Sequence, residues 1–124
     1  MQHLILVLDN DFETPGLLRE GLTAMGFEVV WVNVAAIMDS DRLKKSKFEG
    51  IILNFDMSDH PGMTVLNRLH EQGVEIPVIL MSSASNREQA EEAVRNGARD
   101  YVLKPIDTTE LQNKCRRHFG RPVS

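Results

Sequence analysis

Five short runs of consecutive apolar residues, at positions 4–8, 29–32, 51–53, 78–81 and 101–103, punctuate this chain and alternate with segments of helical or polar character. A run that is apolar throughout, without a polar residue at every second place, suits a strand covered on both faces. Such strands alternating with helices imply βαβ units and a mostly parallel sheet. The expected fold class is therefore α/β, a five-stranded parallel sheet doubly wound by its helices in (βα)5 order. At 124 residues the chain has room for one such domain with a single core. That domain is expected over residues 1–119, with 120–124 a C-terminal tail or the start of a linker.

The intervening segments carry helix signals. Thr14 followed by Pro15 offers a cap and a proline at the first helical position, and Gly26 stands past the end. Leu18, Leu22 and Met25 share one face between them. Ser85 with Glu88 makes a capping-box pattern, with Ala90, Ala93 and Val94 inward and Gly97 closing the helix. Asp107 and Glu110 repeat the pattern more loosely ahead of Leu111, Cys115 and Phe119. A helix over 63–71 turns Met63, Leu66 and Leu69 or His70 inward, and another is expected around 37–45.

In a doubly wound sheet, ligands sit beyond the carboxyl ends of the strands, where strand order reverses. The residues there are Asp9, Asn10 and Asp11 after the first run, and Asn54 and Asp56 after the third. Ser82 and Ser83 follow the fourth, and Lys104 and Pro105 the fifth. Carboxylates, hydroxyls and a lysine sorted to one rim make a site, where scattered solvation would not sort this way.

Other function classes find less support. The first run is followed by acidic DNDFETPG, where a phosphate-binding loop would be rich in glycine. No Ser/His/Asp or Cys/His set suited to hydrolysis reaches the rim. His3, His60, His70 and His118 lack the short pairing of a metal cage. Trp31 and Cys115 read as packing residues, and residues 39–47, of mixed charge, as a solvated face. A net charge of -4 argues against a nucleic-acid surface. No apolar stretch approaches membrane-span length, and residues 1–8 lack a signal peptide's basic start. With one cysteine there is no internal disulfide, and a reducing, cytoplasmic setting is expected.

The four rim fragments LILVLDND, GIILNFDMSDHPGM, PVILMSSA and NGARDYVLKPI, in that order and spacing, resemble response-regulator receiver domains, and the likeness extends from residue 3 to about 119. The resemblance implies the flavodoxin-like receiver fold and a role in two-component or phosphorelay signal transduction. Receivers accept a phosphoryl group on an aspartate after the third strand, with a divalent metal neutralising its oxygens and a hydroxyl and a lysine holding the product. By that likeness Ser82 and Lys104 match the phosphate-holding pair, Pro105 follows the lysine, and Tyr101 matches the aromatic that reorients on activation.

Two positions depart from the pattern. Asn54 stands at the phosphoacceptor position, and its neutral carboxamide cannot form an acyl phosphate. Asn10 replaces the second member of the acidic pair, so the pocket of Asp9, Asn10, Asp11 and Asp56 has lost carboxylates that a metal needs. No cofactor is then required, and Mg2+ is expected to bind weakly, through Asp9 with Asp11 and the backbone carbonyl of Asp56 as secondary ligands. Lys104 has a new role open to it, pairing with Asp9 or Asp56 to hold one conformation. Asp56, two residues past Asn54, points along an extended chain roughly 6.5–7 Å further on, too far to share the phosphate holders.

The expectation is a degenerate receiver, a non-enzymatic interaction module acting without phosphorylation. Its partners would be proteins, a sensor kinase or an output domain, with no direct nucleic acid or membrane contact. The resemblance adds a possible homodimer through the fourth helix, fifth strand and fifth helix, a face that includes Arg95, Tyr101 and exposed residues of 107–119. Two other readings stay open: a phosphorylation-competent receiver whose natural sequence has Asp at position 54, and a flavodoxin-like cofactor binder.

Overall fold

A computed structural model describes residues 3–9, 15–34, 47–57 and 61–119, apart from the side chains of Pro15 and Leu17. Its elements are β1 (His3–Leu8), α1 (Pro15–Thr23), β2 (Phe27–Val32), β3 (Phe48–Asn54), α2 (Gly62–Glu71), β4 (Val78–Ser82), α3 (Arg87–Arg95), β5 (Asp100–Leu103) and α4 (Thr108–His118). A 3-10 turn, Ala84–Asn86, leads into α3. The five strands pair in parallel in the order β2-β1-β3-β4-β5, the α/β sheet expected from the apolar runs. Thr14, the helix expected at 37–45 and the tail at 120–124 lie outside the described residues.

Each strand sends alternate side chains to opposite faces, and both faces are buried. On one face Ile5, Val7, Ile52, Ile79, Met81 and Val102 meet Leu18 and Leu22 of α1 and Leu111 and Cys115 of α4. On the other, Leu6, Leu8, Ile51, Leu53, Val78 and Leu80 meet Val65, Leu66 and Leu69 of α2 and Ala90 and Ala93 of α3. Burying one such Leu, Ile or Val side chain contributes about 1.5–3 kcal/mol, so the paired layers hold the sheet rigidly beneath its rim. The runs of β1, β3 and β4 read as apolar throughout because both faces of these central strands are covered.

Three helix details differ from expectation or refine it. The α2 stripe is Gly62, Val65, Leu66 and Leu69, with Met63 half-buried and His70 exposed. The stripe must face Phe55, whose ring lies against Gly62, and that turns His70 outward. The imidazole instead covers Gly97, whose φ of +136° already favours glycine. Ser85 does not cap α3: it lies in the 3-10 turn, Asn86 holds the cap position without a side-chain cap bond, and the helix begins at Arg87. The Asn86 amide is engaged elsewhere, as described below. Asp107 does cap α4, accepting from the Glu110 N–H at 3.0 Å.

Strand order reverses between β1 and β3, which pair in register at Leu8 and Leu53. The residues just beyond, Asp9 and Asn54, are thereby set side by side at the sheet's switch point.

Candidate functional site at the sheet switch point

Asn54 is the hub of the site. It is 3% exposed at the end of β3, beside Asp9 at 1%. Its Nδ2 donates to Asp9 Oδ1 at 2.8 Å, and its Oδ1 accepts from Lys104 Nζ at 2.7 Å. Charge fixes this orientation, because a flipped amide would face its oxygen to a carboxylate and its N–H groups to an ammonium. The same Oδ1 accepts from the backbone N–H of Asp56 at 3.1 Å, closing an Asx turn.

That turn corrects the placement expected for Asp56. An extended chain would carry its carboxylate away from the lysine, but the backbone curls immediately after Asn54. Asp56 Oδ2 forms an ion pair with Lys104 Nζ at 3.1 Å and accepts from the Ser83 N–H at 2.7 Å. Oδ1 accepts from Asn86 Nδ2 at 2.7 Å and from Ser83 Oγ at 3.3 Å. Burial pushes the Asp56 carboxyl up, but Asn86, Lys104 and the Ser83 N–H together outweigh it and hold the group below the usual carboxylate range. Of the two partners open to Lys104, the ion pair forms with Asp56.

Ser82 lies fully buried at the end of β4, its hydroxyl donating to the Ser83 carbonyl at 2.9 Å. The sequence sets Ser83 at the rim but assigns no role to Asn86; together they supply three of the contacts to Asp56. Their one visible sign is a position just past β4 with side chains able to hydrogen-bond. Asn10 and Asp11, expected in the acidic pocket, lie outside the described residues, as does His60. Pro105 is exposed and follows Lys104 through a cis peptide.

A metal finds little to hold it among the described residues. No three His, Cys, Asp or Glu side chains gather there as ligands. The Asp9 carboxylate meets an amide N–H of Asn54, and that of Asp56 is turned toward Ser83, Asn86 and Lys104. Asp9 and Asp56, the described acidic members of the expected pocket, thus already meet protein donors.

Away from the rim, Tyr101 of β5 is half-buried and donates its hydroxyl to Glu91 Oε1 at 3.0 Å. Lys114 Nζ lies 5.3 Å from the ring centroid, within cation–π range, and also bonds the Tyr101 carbonyl. Asp100 beside it meets Lys114 at 3.2 Å and His118 at 3.1 Å. On the opposite edge of the sheet the Trp31 indole N–H donates to the Asp9 carbonyl at 3.2 Å.

The response regulator receiver domain model matches residues 5–116. The chain belongs to that family. Among curated relatives of this receiver, the transcriptional regulatory protein ZraR of Escherichia coli K12 is 30% identical over 108 residues, 87% of this chain and 24% of its own length. The transcriptional activator protein IrlR of Burkholderia pseudomallei is 31% identical over 117 residues, 94% of this chain and 50% of its own. The chain thus spans about a quarter of the length of the ZraR relatives and half that of IrlR. Among solved structures, full-length FixJ from B. japonicum superposes with a TM-score of 0.84 at 24% identity, over 95% of this chain and 58% of that one. That likeness supports the flavodoxin-like receiver fold, and family membership makes the chain a receiver domain of two-component signalling. Receiver domains are signalling modules and act through protein partners. No helix among the described residues is long and apolar enough to cross a membrane.

Proposed function

We propose that this receiver signals without phosphorylation at position 54, acting as a non-enzymatic, cytoplasmic protein-interaction module over residues 1–119. The observation that carries this reading is the Asn54 carboxamide. It has no nucleophilic oxygen to offer, and its Oδ1 already accepts from Lys104 and from Asp56 N–H. Asp56 is a poor substitute acceptor. Its two oxygens take four donors, which fill the lone pairs a nucleophile would use. No metal is required for such a module, and Asp9, with Asp11 as a secondary ligand, gives magnesium a weak foothold. The partner is a protein, an output domain or a sensor kinase. The helix α3, strand β5 and helix α4 face, with Arg95 exposed and Tyr101 half-buried, is where it or a second copy would dock.

NMR titration with magnesium and beryllofluoride, an acyl-phosphate mimic, tests this against Asn54→Asp. The present chain is expected to show no shifts centred on the rim, and the Asp variant clear ones. Rim shifts in the present chain centred on Asp56 or Asp9 would overturn the reading.

A further inference from the structure

The groups around Asp56 form a cradle for an oxyanion. One backbone N–H, one hydroxyl, one carboxamide and one ammonium converge from two separate elements, the segment after β4 and the end of β5. All are donors, and the carboxylate they surround comes from a third element, the turn after β3. We propose that Asp56 is the resident ligand of this cradle, a carboxylate supplied by the chain itself, and that by filling it Asp56 sets the position of Tyr101.

The connection to Tyr101 runs through α3. Asn86, which grips Asp56 Oδ1 at 2.7 Å, is the cap residue of that helix, and Arg87 is its first residue. Arg87 Nε meets Glu91 Oε1 at 3.0 Å, one turn on, and the same Oε1 accepts the Tyr101 hydroxyl at 3.0 Å. The donors of Arg87 and then Tyr101 hold the Glu91 carboxyl below its ordinary value. Asp56 therefore anchors the start of α3 at the rim, and α3 presents Glu91 to the ring. Each exposed link is weak alone. The rim contacts are the firmer ones, because Asp56 and Lys104 keep only 18% and 27% side-chain exposure. What fills the cradle is independent of which partner the outer face meets, and Asp56 is a positioning residue with no part in bond making.

The consequence is competition between an internal and an external anion. In the chain as it stands, inorganic phosphate meets donors already taken. With Asp56 replaced by Ala, the donors of Ser83, Asn86 and Lys104 are left to a free anion.

The experiment is NMR on the full chain, titrated with inorganic phosphate and separately with acetate, comparing wild type, Asp56→Ala, Asp56→Asn and the exposed charge control Glu20→Gln. Phosphate is expected to move the Ser83 and Asn86 amide resonances in Asp56→Ala, with affinity about tenfold or more above wild type, a difference of about 1.4 kcal/mol. Tyr101 ring resonances are expected to shift in Asp56→Ala and to return toward their wild-type positions as either anion is added. Glu20→Gln should match wild type. If Asp56→Ala does not fold, Asp56→Asn carries the anion comparison, and Asn86→Ala breaks the link from the helix side, moving Tyr101 while Lys104 keeps Asp56. Equal phosphate binding in wild type and the variants, or Tyr101 resonances indifferent to Asp56 and Asn86, overturns the proposal.

Discussion

Replacing Asn54 with Asp exchanges the amide NH2 for an oxygen at constant shape, and the contacts around it allow the cost to be worked out. The bond from Nδ2 to Asp9 Oδ1 is lost, and a hydrogen bond to a charged group contributes about 1.5–3 kcal/mol. In its place two carboxylate oxygens face each other at 2.8 Å, a repulsion of about 6 kcal/mol at an effective dielectric near 20. Lys104, 2.7 Å from the other oxygen, returns an attraction of about the same size at that dielectric. The two do not cancel fully. Asp9 and Asn54 are 1% and 3% exposed, whereas the Lys104 side chain is 27% exposed and better screened. Without metal, Asn54→Asp is expected to be less stable by about 2–4 kcal/mol at neutral pH. Magnesium, placed between two carboxylates, should return about 2.7 kcal/mol at a hundred times its dissociation constant. Urea unfolding with EDTA and then with saturating magnesium measures both quantities. The present chain should gain little from the metal. An Asp variant as stable as the present chain in EDTA, or equal gains from magnesium in both, would show that the Asn54 amide does not stand in for a cation beside Asp9.

Three other perturbations have definite expected outcomes. Lys104→Met leaves Asp56 and Asn54 Oδ1 without their ammonium and should lower stability by about 1–3 kcal/mol in urea unfolding; no change would remove Lys104 as the structural centre of the rim. Gly50→Ala places a Cβ 2.3 Å from the Phe119 ring, which should cost about 1–3 kcal/mol, and the loss should shrink in a Phe119→Leu background, read as a double-mutant cycle. Burial pushes the Asp100 carboxyl up, yet the Tyr101 N–H, His118 and Lys114 outweigh it and leave it below its ordinary value. A carboxyl depressed on folding adds stability that is present above its unfolded pKa, near 3.9, and disappears as pH falls through the lower folded value. Asp100→Asn should therefore flatten the acid limb of a stability–pH curve and sit below wild type at neutral pH; parallel curves would rule out that contribution.

The sheet was legible because its runs are apolar on both faces, a pattern that only a doubly covered strand requires. Helix ends were legible where the cap bonds its own helix, as Asp107 does with Glu110, and misread where the side chain serves a distant group. Asn86 is such a case: its amide goes to Asp56, thirty residues earlier, and the capping-box pattern of Ser85 and Glu88 gives no hint of it. In the same way Asn54, Ser82 and Lys104 could be set at one rim from the strand ends alone. The direction of the Asp56 carboxylate could not. It depends on an Asx turn formed by Asn54, so the residue that removes the acceptor is also the one that bends its neighbour toward the lysine. A spacing rule for extended chain does not apply once the strand has ended.

Trp31 adds a practical property to the rim. The chain contains one tryptophan, and its indole N–H rests on the carbonyl of Asp9, the residue that also holds the Asn54 amide. Indole emission depends on the polarity and hydrogen bonding around that N–H, so with excitation beyond the absorption of Tyr101 the fluorescence of the unlabelled protein comes from a single position beside the switch point. A partner, an ion or a substitution that displaces Asp9 changes the light the molecule emits, and one that acts only at the far edge of the sheet leaves it dark to that signal.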